Sequence, residues 1–417
     1  MKHRVVVTGV GAISAVGENS EQTWQAMLSG TSGIAPITLF DASNFKVQIQ
    51  AEVKKDPKEL LQLDSRVTGK QLKHMNRSVK FALLSTLEAL DDSQLEICEQ
   101  NADEIGIIFG SGAGGSETFL KGQETLQTKG AKRISPFLVA NFIVDAASGH
   151  IAIATGARGP NMAISSACAT GTSAIGEAFA TVARGDASAI ITGSSDAVLL
   201  PLFHATWTSM RALSKGTAEP SQAMRPFDLE RDGFIAGEGG ASFIVENYEH
   251  ALARKAKIYA EIIGYGSAND AHDMIALDVT GKGLSRALRA SFQTASISPS
   301  MVDYINPHGS ATKMNDLVET NVFKEFFGQE KASQIPISSV KPIIGHCMGG
   351  TGSLEALACI LAIRDQKVAP TINYRIPDPE CDLDYVPNEA RSCDIDVALS
   401  TSAGLGGHNA SLLFKRI

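Results

Sequence analysis

The chain reads as an α/β protein in which strands and helices alternate, arranged as two similar halves. Three observations carry that reading. Short runs dense in Val, Ile and Ala recur: Val5-Val6-Val7-Thr8, Ile105-Gly106-Ile107-Ile108-Phe109, and residues 187–193, 241–245, 259–263 and 396–400. Segments of helical character stand between such runs, at 79–90, 174–184 and 354–364. Alternation of this kind predicts mostly parallel sheets covered by helices. The third observation is an internal echo. Ile164-Ser165-Ser166 leads through a small-residue turn into a helix bearing Glu177-Ala178 and ending near Arg184. Ile337-Ser338-Ser339 leads through a Gly-rich turn into a helix bearing Glu355-Ala356 and ending near Arg364. The echo predicts two halves, residues 1–250 and 251–417; chance likeness of short strand-helix units is the alternative.

In chain order, the first strand meets Gly9-Val10-Gly11 before a helical stretch at 20–28. The Gly pair invites a dinucleotide-binding reading. The third glycine is misplaced, at Gly17, and no acidic residue closes a second strand at the required distance. A tight strand-to-helix turn is the expectation instead. Residues 215–232 read as loop. No low-complexity linker separates the halves, so they are expected to share one body.

Composition sets the outer bounds. The 417 residues are 44% hydrophobic and 20% charged, which suits a globular chain with two domain-sized units. Net charge is −8, from 37 basic and 45 acidic residues, and no Lys/Arg block stands out, so nucleic acid is not an expected partner. The apolar run at the N-terminus ends at Thr8-Gly9, too early for a secretory segment, and no stretch is long enough to span a membrane. The six cysteines (98, 168, 347, 359, 381, 393) form no CxxC pair. A cytoplasmic protein with reduced thiols is expected. No HxH or HxxxH pair suggests a metal.

Chemistry gathers at three places. Cys168 lies in Ser165-Ser166-Ala167-Cys168-Ala169-Thr170-Gly171, between an expected strand and an expected helix. A thiol there meets the positive end of the helix, which favours thiolate. A buried inert cysteine is the alternative. His308 follows a strand end in Asn306-Pro307-His308-Gly309, and His346 lies in Lys341-Pro342-Ile343-Ile344-Gly345-His346. One thiol and two imidazoles suffice to make a carbon–carbon bond through a thioester. The thiol carries an acyl group. The imidazoles donate to the oxygen of the enolate that forms when a β-carboxylate thioester loses CO₂. Lys341 orients His346 or is a surface charge. Glu319 anchors Lys341 or is a solvated helix-face carboxylate. Cys347 is a rival nucleophile, read as a wall residue because sequence neighbours cannot both aim at one centre. The Gly404-Leu405-Gly406-Gly407 turn offers amide N–H groups for an oxyanion, with a plain tight turn as the alternative. His204, His272 and His408 read as core or loop residues.

These segments resemble the β-ketoacyl synthases of the Cys-His-His type. The likeness includes Arg225-Pro226-Phe227-Asp228 and Arg231-Asp232-Gly233-Phe234, and runs nearly end to end. It implies a thiolase-like fold, two similar halves in five layers αβαβα, and a dimer. It implies acyl groups carried on the phosphopantetheine of acyl carrier protein, with no separate cofactor. It implies supporting roles for Lys341 and Glu319, Phe234 beside the malonyl group, and an oxyanion held by the N–H groups of Cys168 and Leu405. Ala113, in Gly110-Ser111-Gly112-Ala113-Gly114-Gly115, is similar in place to a residue lining the acyl tunnel; ordinary loop packing is the alternative. Asp378–Pro387 is most like the ketosynthase α subunit of bacterial type II aromatic polyketide synthases. Those enzymes pair with a chain length factor, a homologue lacking the nucleophile. The alternative is 3-oxoacyl-ACP synthase II of fatty acid elongation, which would pair with itself. Three positions depart from the family's usual residues: Pro307 before His308, Ala311, and Leu405 where a gating Phe is usual.

Overall fold

A nine-stranded hydrogen-bonded ladder organises the molecule, seen in a computed structural model that describes residues 3–216 and 218–417. Its strands are β1 (Val5–Ile13), β2 (Ile105–Gly110), β3 (Asn161–Ile164), β4 (Ala189–Asp196), β5 (Gly239–Asn247), β6 (Ala260–Asn269), β7 (Tyr304–Asn306), β8 (Val397–Gly404) and β9 (His408–Lys415). They lie in the order β3-β2-β4-β5-β1-β6-β9-β8-β7. Every residue of β1, β2 and β4 is buried, as expected where helices cover both faces. The ladder passes from one half to the other through a short joint, where Val5, Val6 and Val7 oppose Ile262, Glu261 and Ala260.

The expectation of mostly parallel sheets is corrected. Five of the eight pairings are antiparallel and three are parallel. The hairpin at residues 405–407 forces β8 and β9 to run oppositely. β5 returns antiparallel to both β4 and β1.

Long helices complete the layers, among them α1 (Arg77–Ser93), α2 (Thr170–Arg184), α3 (Lys282–Ala295), α4 (Lys313–Phe327) and α5 (Thr351–Asp365). α2 and α5 are buried almost all round. Their Phe179, Val182, Leu357 and Ile360 pack against Ile190 and Val245 from one side and Ile262, Leu412 and Phe414 from the other. They therefore form a central layer between two sheet faces. Each such buried side chain contributes roughly 1.5–3 kcal/mol. α1 covers one outer face through Leu83, Leu87 and Leu90. α3 and α4 cover the other through Leu284, Leu288, Val318 and Val322. The result is αβαβα. The echoed segments of the sequence are the two helices of the central layer.

Gly9 and Gly11 make no turn. They lie inside β1, where an added Cβ would stand 2.2 Å from Ala89 O and 2.0 Å from Ser85 O. Their service is to let α1 press onto the strand, so both the nucleotide reading and the strand-to-helix turn fall away. Among the described residues no helix is long and apolar enough to cross a membrane.

Candidate active site

Cys168 sits between the end of β3 and the start of α2, and Ala169 is the helix N-cap. The turn is tied by Thr170, whose hydroxyl donates to Ala167 O at 2.7 Å and accepts from Ser166 N at 2.9 Å. Ala167 adopts φ 50°, a left-handed conformation that strains a residue with a Cβ. Gly404 crosses directly beside it: an added Cβ would lie 2.9 Å from Cys168 N. Burial pushes the Cys168 thiol up to about 11. The Lys341 ammonium and the Leu405 N–H pull it down, while the Asp196 carboxylate pushes it further up. Burial thus works against the stabilisation of thiolate expected from the helix end and favours the neutral thiol.

His308 follows β7. Its N–H and that of Gly309 each donate to the Glu319 carboxylate at 2.7 Å. Glu319, on α4, also accepts from Asn315 Nδ2 at 2.9 Å and Thr401 Oγ1 at 3.2 Å. Lys341 is fully buried, donates to the His308 carbonyl and forms an ion pair with Glu355 of α5. Burial pushes Glu319 and Glu355 up to about 7 against the pull of Lys341. The second imidazole is pinned through its backbone, His346 N to Ile235 O at 2.7 Å and Gly237 N to His346 O at 2.8 Å. Its Nδ1 lies 2.9 Å from Thr351 Oγ1. Ala311 and Met348, beside the two imidazole turns, also hold positive φ, at 62° and 50°.

The two rings meet edge to face, their centroids 5.5 Å apart at 78°. Phe234 meets His346 edge to face at 5.1 Å. Burial, then the Lys341 charge, holds both imidazoles well below the usual histidine range. They are neutral near pH 7, and each carries one N–H.

Cys168, His308, His346, Phe234 and Leu405 line one cavity of about 320 Å³. Roomier clefts of about 490 and 570 Å³ lie near His74 and hold no thiol. Lys341 and Glu319 stand behind the cavity wall. Ala113 does not line it; it packs on the apolar cluster that holds Trp207 and Phe234. Glu319 does not anchor Lys341, because its carboxylate is spent on the His308 and Gly309 amides; Glu355 is the anchor. Cys347 turns away into the core, its sulfur 3.5 Å from Ile344 O, and burial pushes its thiol up. His204 is a core residue bonded to Val47 O at 2.7 Å. Sequence reasoning missed the parts played by Glu355 and Thr351. A lone acid in the apolar run Leu354-Glu355-Ala356-Leu357-Ala358 was the available signal.

A half-buried thiol and two neutral imidazoles on one cavity, in a thiolase-like fold, define an acyl-transferring enzyme. The chain belongs to the β-ketoacyl synthase family. The family's N-terminal domain model, "Beta-ketoacyl synthase, N-terminal domain", matches residues 2–251, and "Beta-ketoacyl synthase, C-terminal domain" matches residues 259–375. The chain is 45% identical over 413 residues to "3-oxoacyl-[acyl-carrier-protein] synthase 2" of Staphylococcus aureus, covering 99% of this chain and 98% of that protein. It is 45% identical over 416 residues to the protein of the same name from Synechocystis sp., covering 100% and 98%. Among solved structures it resembles a type II polyketide synthase acyl-carrier protein in complex with its ketosynthase, at TM-score 0.89 and 33% identity with full coverage of both chains. It also resembles the ishigamide ketosynthase/chain length factor, at TM-score 0.90 and 30% identity, again with full coverage of both.

Proposed function

We propose that this chain is an elongating 3-oxoacyl-ACP synthase of the fatty acid type, working by Cys-His-His chemistry. The observation that carries the mechanism is the shared cavity of Cys168, His308 and His346. Cys168 takes the acyl group from one acyl carrier protein, and its proton leaves with the released phosphopantetheine thiol. A malonyl thioester then enters. The Nε2–H groups of His308 and His346 donate to its carbonyl oxygen, the Thr351 hydroxyl donating to His346 Nδ1 to hold that tautomer. Loss of CO₂ leaves an enolate, which attacks the Cys168 thioester. The tetrahedral oxygen is held by the N–H groups of Cys168 and Leu405. Collapse releases the β-ketoacyl carrier protein, and the Cys168 thiolate takes up a proton. Lys341, Glu319 and Glu355 keep the His308 turn and the local charge fixed, and Phe234 walls the malonyl side. No separate cofactor enters this cycle. Residues 1–250 supply the nucleophile and 251–417 the imidazoles, in line with family matches that break between 251 and 259.

The subclass first favoured from the sequence, a polyketide ketosynthase α subunit, gives way to its alternative. The 45% identity to 3-oxoacyl-ACP synthases outweighs 33% and 30% to polyketide enzymes. A partner copy of this chain is favoured over a chain length factor. β3 ends the ladder with Asn161 and Met162 exposed, an edge that a second copy can extend. The polyketide reading rests on the likeness of Asp378–Pro387 and on the similarity to those two ketosynthase structures, and has its own test. Purification from the native host should give a homodimer; a co-purifying homologue without the nucleophile would restore the polyketide reading. For the mechanism, Cys168→Gln should lose acyl-enzyme formation and keep malonyl decarboxylation. An acyl adduct on Cys347 in the wild type would overturn it.

A further inference from the structure

Asp196 is fully buried at the end of β4 and has no part in the chemistry above. Its carboxylate accepts four hydrogen bonds: Ser111 Oγ at 2.6 Å, Gly112 N at 3.0 Å, Ala113 N at 3.3 Å and Gly349 N at 2.8 Å. Among the described residues no cation pairs with it. An anion buried without a counter-ion is costly unless its donors are fixed in place. Three donors come from the Gly110–Gly115 turn and the fourth from the turn that follows His346.

The two turns are pressed together at this carboxylate. A Cβ added to Gly349 would lie 2.5 Å from Gly112 N and 2.6 Å from Asp196 Oδ2. A Cβ added to Gly112 would lie 2.9 Å from Asp196 Oδ2 and 3.5 Å from Ala167 O, in the nucleophile's own turn. Ser111 N also bonds Ile164 O at 3.2 Å, at the strand end that leads to Cys168. Met348, next to Gly349, lines the cavity, and Ala113 packs beside it on the same apolar cluster.

We propose that Asp196 is a positioning residue that clamps the Ala113 turn to the Met348 turn and so sets the acyl-chamber wall against Cys168. Burial pushes its carboxyl up to about 6 while its donors pull it down, so the clamp is ionised near pH 7. A carboxylate suits the site because all four neighbours are donors. An amide would turn one N–H toward them and force the turns apart.

This inference rests on Cys168 being the acyl acceptor. The test is kcat/KM of Asp196→Asn across acyl-ACP donors of increasing length, with malonyl-ACP saturating. The expected result is a graded loss, roughly tenfold for the shortest donor and rising toward 100-fold for the longest. A merely structural role would lower every donor by one factor. Gly349→Ala keeps the charge and wedges the turns apart; it should show the same grading at smaller amplitude, and it decides the matter if Asp196→Asn does not fold. A uniform loss, or none, overturns the proposal. Intact-mass analysis of the wild type separates the two levels: without a Cys168 acyl adduct the catalytic reading fails first, whatever Asp196 does.

Discussion

The nucleophile and the first imidazole, His308, are held by opposite means. Cys168 is aimed by local geometry: a strained Ala167, a hydroxyl from Thr170 and the closeness of Gly404. His308 is aimed by buried charge drawn from far along the chain, with Lys341, Glu319 and Glu355 converging on its turn from separate elements, while His346 is held by backbone bonds to Ile235 and Gly237 and by Thr351. Cys168 is half-buried and among the described residues forms no ion pair, whereas both imidazoles are buried. A local turn can be rebuilt by small changes. A buried charge network fails as a unit.

The comparison can be broken most sharply at its two ends. Cys168→Ala should remove acyl-enzyme formation entirely, read by intact mass, with little change in thermal stability. Lys341→Met should act the other way. It leaves Glu355 buried and unpaired, costing about 3–5 kcal/mol in a denaturant titration, and it frees the His308 carbonyl. Decarboxylation should fall with stability; an unchanged melting curve would show that the network is not holding the turn. Next in size, His308→Ala and His346→Ala should each lower malonyl decarboxylation roughly 10²–10³-fold while acyl loading falls less. Equal losses in both steps would remove the enolate role. Thr351→Val, which deletes the partner of His346 Nδ1, should cost about tenfold in decarboxylation and leave loading intact.

The smallest effect to measure is one of pH. Burial raises the Cys168 thiol to about 11, so the thiolate fraction grows with pH through the neutral range. At pH 8 about one site in a thousand is ionised. Alkylation of Cys168 by iodoacetamide, followed by peptide mass spectrometry, should keep rising toward pH 11. A plateau below pH 8 would mean that the helix end governs the sulfur after all.

What the sequence disclosed follows the same divide. Cys168 and His308 announce themselves through small residues after a strand end, and His346 through the Gly345 turn after a short helix, signals confined to a few neighbours. The central layer was legible too, because its two helices are apolar all round and begin alike. The partners of Lys341 were not legible. Glu355 stands fourteen residues away in sequence from Lys341, on a helix read only for packing, and Glu319 proved to serve amides instead of the lysine. Sheet direction was likewise hidden: a run of buried strands looks the same whichever way its neighbour points. Gly9 and Gly11 misled because a close helix contact and a nucleotide loop demand the same absence of a side chain.

Ala167, Ala311 and Met348 keep left-handed backbone without being glycine, one beside each of the three reacting groups. Each conformation costs roughly 1–2 kcal/mol that glycine would not incur. Heat tolerance and aim therefore pull against each other at the centre of this enzyme. A directed-evolution campaign that selects for thermal survival alone should drift toward glycine at these places, and its survivors should be sturdier and slower catalysts.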